Sequence, residues 1–178
     1  MNKVLIVAAV IVLSAVQAFG SATTFLIEAV SERSITPDTV QALINTGADV
    51  KAHDKHGNTA LIMAAKLSTP QIVKLLIESG SDVNAVNVLG DTALLGAADY
   101  NKDPEVFELL ISAGADVNAR NKDGVTALMK AAKSRDNAYA VNALLQAGAD
   151  IYAEDKDGKT ALSYAEGNMR RLIINAVK

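Results

Sequence analysis

The chain has 178 residues, of which half are apolar and none is cysteine, and its formal net charge is −3 at pH 7. This length amounts to one domain or one short repeat array. Without cysteine the chain forms no disulfide, thiolate nucleophile or cysteine-based zinc site. Mild acidity with no basic run excludes the usual electrostatic footprint of nucleic-acid binding.

The first residues have the three-part pattern of a secretory signal peptide. Lys3 is a short positive start, an apolar stretch covers residues 4–16, and small residues follow at Ala18 and Gly20. The competing interpretation is a membrane anchor. An apolar run of about 13 residues is shorter than the ~20 that a spanning helix needs.

We therefore predict a signal peptide over residues 1–20 and a single domain over residues 21–178. Cleavage after residue 18, 20 or 22 fits the small residues equally well. The predicted location is periplasmic or secreted, with no stable membrane insertion after cleavage.

The rest of the chain repeats with a period near 33 residues. The segment DKHGNTALIMAAKLSTPQIVKLLIESGSDVNA at 54–85 returns from residue 87 and again from residue 121. Two sets of glycines, spaced 33, 34 and 34 residues apart, mark predicted turns and helix ends: Gly57, Gly90, Gly124 and Gly158, and Gly47, Gly80, Gly114 and Gly148. Such a period indicates a repeat array.

Each repeat predicts two helices. The first follows a threonine whose hydroxyl can accept from free backbone N–H groups, and it carries two alanines that allow close stacking. The second carries an apolar stripe such as residues 72–76 and ends at a glycine. Both array ends are incomplete, with predicted helices at 24–32, 38–45 and 168–177. Asp and Asn in the connecting segments are expected to stabilise turns.

These residues make the chain resemble the ankyrin-repeat family, whose unit is a β-turn followed by two antiparallel helices with a Thr-Pro-Leu-His signature. The resemblance covers residues 24 to about 175. The signature here reads Thr-Ala-Leu followed by Ile62, Leu95, Met129 or Ser163. The family's histidine, which ties neighbouring units through hydrogen bonds, is missing, and this puts the polar network between units in question.

The resemblance implies an all-α repeat solenoid, an ankyrin-repeat array of about five helix-turn-helix units with β-turn fingers. We number the predicted units 1 to 5 in chain order, at about 24–53, 54–86, 87–120, 121–154 and 155–178.

Catalytic and metal-binding patterns are weak. His53, Asp54 and His56 lie within four residues of each other, but a metal needs three or four converging ligands and an extended turn does not converge them. No serine lies beside a base at a recognisable spacing. We expect no catalytic residue, no cofactor and no metal.

The resemblance implies protein partners, contacted through the fingers and first helices. We expect an exported, non-enzymatic, monomeric interaction protein that resembles bacterial periplasmic members of the family. Two roles stay open within that class: an inhibitor or immunity protein that caps a toxic enzyme, and a helper of a periplasmic oxidative-stress enzyme. Two alternatives come from other classes. The protein could be an enzyme or a small-molecule-binding protein, or it could have a structural, envelope-tethering role.

Unit 3 differs from its neighbours at the positions that the resemblance places on the binding side. The neighbours are polar there, with Lys55, His56 and Lys66 in unit 2, Arg120, Lys122 and Lys133 near or in unit 4, and Glu154, Lys156 and Lys159 near or in unit 5. The corresponding residues of unit 3 are Val86, Val88, Leu89 and Tyr100, with Asp91 and Asp99 beside them.

We interpret these apolar residues as the centre of a partner-binding site, since apolar clusters on polar surfaces often mark interfaces and aromatic residues are typical hot spots. The flanking cations are expected to form a rim that steers an acidic partner. The alternative is that Val88 and Leu89 pack against a neighbouring finger and only fill space.

Overall fold

The computed structural model describes residues 21–32, 35–134 and 137–176. Within these ranges the chain forms ten helices and no extended strand. In chain order they are α1 (Ala22–Ala29), α2 (Pro37–Asn45), α3 (Ala60–Leu67), α4 (Pro70–Glu78), α5 (Ala93–Tyr100), α6 (Pro104–Ser112), α7 (Ala127–Lys133), α8 (Ala138–Gln146), α9 (Ala161–Tyr164) and α10 (Gly167–Asn175). The predicted signal peptide lies outside the described residues.

The helices form two layers. The odd-numbered helices pack on one another along the array, and the even-numbered helices do the same behind them. Each odd-numbered helix also packs against the helix that follows it. This arrangement confirms the predicted all-α repeat solenoid.

The predicted threonine caps are present on the three central first helices. The hydroxyls of Thr59, Thr92 and Thr126 accept from backbone N–H groups three residues later, at 3.2–3.3 Å. Each bond satisfies one of the free amides of a helix start.

Unit 1 begins earlier than predicted. Ser21 rather than Thr24 caps α1, accepting from the Thr24 backbone N–H at 3.1 Å. The helix α1 also ends earlier than predicted, at Ala29 instead of residue 32. At the other end α10 begins at Gly167 and ends at Asn175, slightly ahead of its predicted range.

The core of the first layer depends on small side chains. Ala64, Ala65, Ala97 and Ala98 are fully buried, so the backbones of α3 and α5 can approach closely. The second layer is thicker, with Ile72, Val73 and Leu76 buried and Leu75 only partly so. Leu75 therefore lies at the margin of the stripe rather than within it.

Polar bonds between units are present despite the missing histidine. Asn84 donates to the Gly114 carbonyl at 3.0 Å and accepts from the Asp116 N–H at 2.8 Å, and Asn118 repeats both bonds to Gly148 and Asp150, at 3.2 and 2.7 Å. We call this pair of asparagines the asparagine ladder.

A second series of bonds lies in the loops between the two helices of each unit. Asn101 and Asn137 are buried and donate to the carbonyls of Ala65 and Asn101, each at 2.9 Å. Ser68 makes the corresponding bond to the Val30 carbonyl. Asparagine and serine side chains thus join the units where the family's histidine is absent.

Candidate interaction surface

Four five-residue turns, which we call the fingers, precede α3, α5, α7 and α9 at 54–58, 87–91, 121–125 and 155–159. In the first, the Asp54 side chain accepts from the backbone N–H groups of His56 and Asn58, at 2.8 and 2.9 Å. Asn87, Asn121 and Asp155 make the equivalent pairs of bonds. One side chain therefore fixes each finger internally.

The fingers are also bonded to one another through the main chain. The third residue of each finger accepts from the second residue of the next, in the bonds His56 O to Val88 N, Leu89 O to Lys122 N and Asp123 O to Lys156 N, each 2.9 Å. The finger side chains take no part in these bonds. We call them the finger rungs.

Glycine is required where the fingers meet. Gly57 and Gly90 have φ values of +74° and +79°, which glycine adopts without steric cost. A Cβ on Gly57 would lie 2.9 Å from the Val88 backbone nitrogen, and one on Gly90 equally close to that of Lys122. A larger residue would therefore separate adjacent fingers as well as strain the turn.

The apolar residues predicted at the binding site are exposed. Val86, Leu89 and Tyr100 are 58–60% exposed and Val88 is 49% exposed. Val88 and Leu89 bond to the neighbouring fingers through their backbones, while Leu89 stays mostly exposed and Val88 about half exposed. Space filling between fingers therefore accounts for at most the smaller part of the Leu89 surface and about half of the Val88 surface.

The basic residues predicted as a rim fall into two groups. Among the described residues, Lys55, Lys66, Lys122 and Lys133 form no ion pair. The remaining cations are engaged: Arg120 with the carbonyls of Glu154 and Gly124, Lys156 with Asp123 at 3.7 Å, and Lys159 with Asp157 at 3.4 Å.

Asp91, which the sequence places beside the apolar residues, is buried at the end of its finger. Its carboxylate accepts from Asn121 at 2.9 Å and from Lys130 at 3.2 Å. Lys130 also reaches Asp99 at 3.2 Å. Lys130, which sequence reasoning did not single out, thus links units 3 and 4 and occupies both acidic groups.

Lys66 is held beside Tyr100 by the absence of a side chain at Gly96. A Cβ on Gly96 would lie 2.9 Å from Lys66 Cγ and 3.2 Å from Cε, so the lysine stem lies along the backbone of α5. Its ammonium nitrogen is 5.4 Å from the centre of the Tyr100 ring, within the range of a cation–π contact.

The histidine-containing finger functions as a turn. Burial alone would raise the pKa of Asp54, but hydrogen bonds from Asn58 and His56 lower it below its usual value. Within residues 21–32, 35–134 and 137–176, no three His, Cys, Asp or Glu side chains are arranged to hold a metal ion.

A hydrogen bond between the last finger and α9 shifts the pKa values of a tyrosine and a carboxyl group. The Tyr164 hydroxyl donates to the Asp155 carboxylate, and this bond raises the pKa of Tyr164 to about 12 while lowering that of Asp155. Lys159 lies 5.9 Å from the Tyr164 ring centre. The three residues join the last finger to α9.

Comparison with known protein families identifies the family to which this array belongs. A family model described as ankyrin repeats (3 copies) matches residues 11–87 and 94–177, and one described as ankyrin repeats (many copies) matches residues 66–111. The chain belongs to the ankyrin-repeat family. Arrays of this family typically serve as non-enzymatic protein-interaction modules, so a protein is the class of partner that this surface implies. Comparison with curated proteins gave no match.

The first of these matches begins at residue 11, within the predicted signal peptide. Among the helices of the described residues, none has the length and apolar character needed to cross a membrane.

Proposed function

We propose that the protein is an exported interaction protein that binds its partner through the fingers and first helices, centred on unit 3. The observation that carries this proposal is that Val86, Val88, Leu89 and Tyr100, in unit 3 or directly before it, are four of the eight exposed large apolar side chains among the described residues. Burying such side chains against a partner is favourable because it removes apolar area from water.

The finger rungs support the proposal because they hold Val88 and Leu89 in place before any partner binds. A preorganised surface loses less conformational freedom on association, which leaves more of the contact energy as affinity. Lys55 and Lys122, one on each adjacent finger, form no ion pair within the described ranges, and they favour a partner with acidic groups around an apolar contact.

Two surface variants test the binding site. The partner is first isolated by affinity capture from the host's envelope fraction and then purified. We expect Leu89→Asp and Tyr100→Ala each to weaken its binding by at least about tenfold, as hot-spot truncations do. Circular dichroism should show unchanged helix content.

The controls are matched in chemistry and distant from the fingers' apolar residues. Ile174→Asp on α10 introduces the same charge at an exposed apolar position, and Tyr152→Ala removes an exposed aromatic ring from the loop after α8. Both should leave binding unchanged. Full binding by the folded Leu89→Asp and Tyr100→Ala variants would remove the site from unit 3.

Export rests on the positive start, apolar run and small residues of the first 20 positions. Intact-mass measurement of protein from the native host should give a chain lacking residues 1–18, 1–20 or 1–22. Recovery of the chain from a membrane fraction with residue 1 retained would contradict this part of the proposal.

A further inference from the structure

The first-helix layer has one position that differs in kind between units. At equivalent places the helices carry Glu28, Met63, Gly96, Lys130 and Tyr164. Only Gly96 lacks a side chain, and a glycine in a helix interior is unfavourable relative to alanine. Gly96 is also buried and has a negative φ, so neither exposure nor backbone conformation accounts for it.

The position of the Lys66 side chain explains why residue 96 is a glycine. The lysine stem crosses the space that a side chain at position 96 would fill, and its Cγ, Cδ and Cε all lie 2.9–3.4 Å from the position of an added Cβ. The missing side chain therefore allows Lys66 to extend across to α5, where its ammonium group faces the Tyr100 ring.

The charge of Lys66 is left without a carboxylate. Asp99 lies on the same helix as Gly96 and Tyr100, but it pairs with Lys130 at 3.2 Å. Lys66 forms no ion pair within the described part of the chain. Its cation is thus positioned by an aromatic ring that is itself 60% exposed.

We propose that Gly96, Lys66 and Tyr100 form a subsite for an acidic side chain of the protein partner. The partner's carboxylate would pair with the Lys66 ammonium, and an adjacent apolar group would pack on the exposed Tyr100 ring. This inference rests on the proposed function and names the chemistry that part of its surface recognises. Gly96 acts as a positioning residue, through Lys66.

Charge complementarity selects this occupant. A carboxylate supplies the anion that Lys66 lacks, and it does so beside a ring whose face already holds the cation. A basic partner segment would be repelled by Lys66 and by Lys133, which occupies the equivalent position in unit 4 and forms no ion pair with the described residues.

The test uses a phage-displayed library of 12-residue peptides, selected on the protein purified from its host. The tightest acidic binder is synthesised together with twins in which each Glu or Asp is replaced by Gln or Asn. We expect one such replacement to weaken binding by about two- to fivefold, the size of one partly exposed charge pair. Lys66→Met should bring the ratio between peptide and twin close to one.

Three further variants separate this subsite from general electrostatics. Lys133→Met removes the matched cation and should leave the ratio unchanged. Tyr100→Leu should reduce the ratio. Gly96→Ala, which displaces the Lys66 stem, should reduce it too, with a thermal unfolding midpoint no lower than that of the unmodified protein.

The outcomes distinguish the two proposals. If selected peptides lose binding with Leu89→Asp while Lys66→Met leaves the ratio intact, the proposed function stands and the subsite is overturned. If the library yields no peptide whose binding depends on Lys66, the subsite is likewise overturned. If binding is also indifferent to Leu89→Asp and Tyr100→Ala, the proposed function fails with it.

Discussion

The contact between units 3 and 4 and the contact between units 1 and 2 use the same stacking of helices but differ in the hydrogen bonds and ion pairs that join the units. Units 3 and 4 share a finger rung, the Asn118 bonds of the asparagine ladder and the Lys130 ion pairs. Between units 1 and 2, the described side-chain bonding is that of Ser68 with the Val30 carbonyl.

The difference shows that the repeat template fixes how helices stack, whereas a few side chains fix how strongly adjacent units are coupled. In a repeat array, stability is approximately a sum over units and their nearest-neighbour contacts. The centre of this array is therefore expected to be more stable than either end.

The largest expected effect is loss of a buried leucine at the centre. Leu94 is fully buried in α5, and Leu94→Ala should lower the free energy of unfolding by about 2–5 kcal/mol. Leu172 in α10 is only partly buried, and Leu172→Ala should cost less than about 2 kcal/mol because it removes less apolar area from the core.

Denaturant titration followed by circular dichroism measures both losses. The two variants remove the same side-chain atoms and differ in place and in burial. Equal losses would contradict the view that the centre and the ends differ.

Lys130→Met should have the next largest effect. It removes the cation between Asp91 and Asp99 and leaves the buried Asp91 with only Asn121 as a side-chain partner. We expect a loss of about 1–3 kcal/mol, the cost of an underpaired buried polar group.

Lys133→Met is the matched control for this change. Lys133 is on the same helix but exposed, and its substitution should alter stability by no more than about 0.5 kcal/mol. A loss for Lys133→Met as large as that for Lys130→Met would show that helix propensity or net charge, rather than the ion pairs, is being measured.

The asparagine ladder should contribute less per residue. Asn118→Ala removes one donated and one accepted bond between units 3 and 4 and should cost about 1 kcal/mol, since both bonds are exposed to water. Tyr152 occupies the equivalent place one unit later, where its side chain forms no hydrogen bond among the described residues. Tyr152→Ala should therefore be close to neutral, and an equal cost at both positions would argue against the ladder.

The smallest effect is the pH-dependent one in the last finger. The hydrogen bond to Asp155 raises the pKa of Tyr164 to about 12 from its usual 10.0. The bond therefore stabilises the fold below pH 10, and its contribution is lost as pH rises from about 10 to 12. At the acid end the pKa of Asp155 is lowered, so the contribution is lost again as pH falls below the carboxyl's usual range.

Thermal unfolding midpoints of the unmodified protein and of Tyr164→Phe test this dependence. The difference between them should be present at pH 8 and smaller at pH 11.5. A difference that is constant across this range would mean that the hydroxyl contributes through packing alone.

Residue spacing was sufficient to predict the architecture because each of its determinants is local. The four finger glycines, the threonine caps and the helix-ending glycines each act within a few residues of their own position. The predicted start of α1 was wrong because Ser21 and Thr24 are both good N-cap residues and the surrounding sequence favours neither.

The bonds between units could not be predicted because they join residues about 30 to 40 positions apart. Asn118 has an equally good local explanation as a turn residue, and nothing in the sequence indicates that its amide reaches Gly148. Lys130 looks like any helical lysine until α5 is placed beside α7. The exposure of Leu89 and Tyr100 was predicted from their positions in the repeat. The space that Gly96 leaves for the Lys66 side chain could not be predicted, because it depends on the distance between α3 and α5.

The finger rungs have a consequence for how such a surface changes over time. Because the finger rungs join main-chain atoms, the side chains at Val88, Leu89 and Lys122 can be exchanged without altering these bonds. The residues at these tips can therefore be substituted one at a time while the main-chain frame stays the same. Evolution or protein design can thus change the binding specificity of the array through a few substitutions in the fingers, while the helices behind them stay the same.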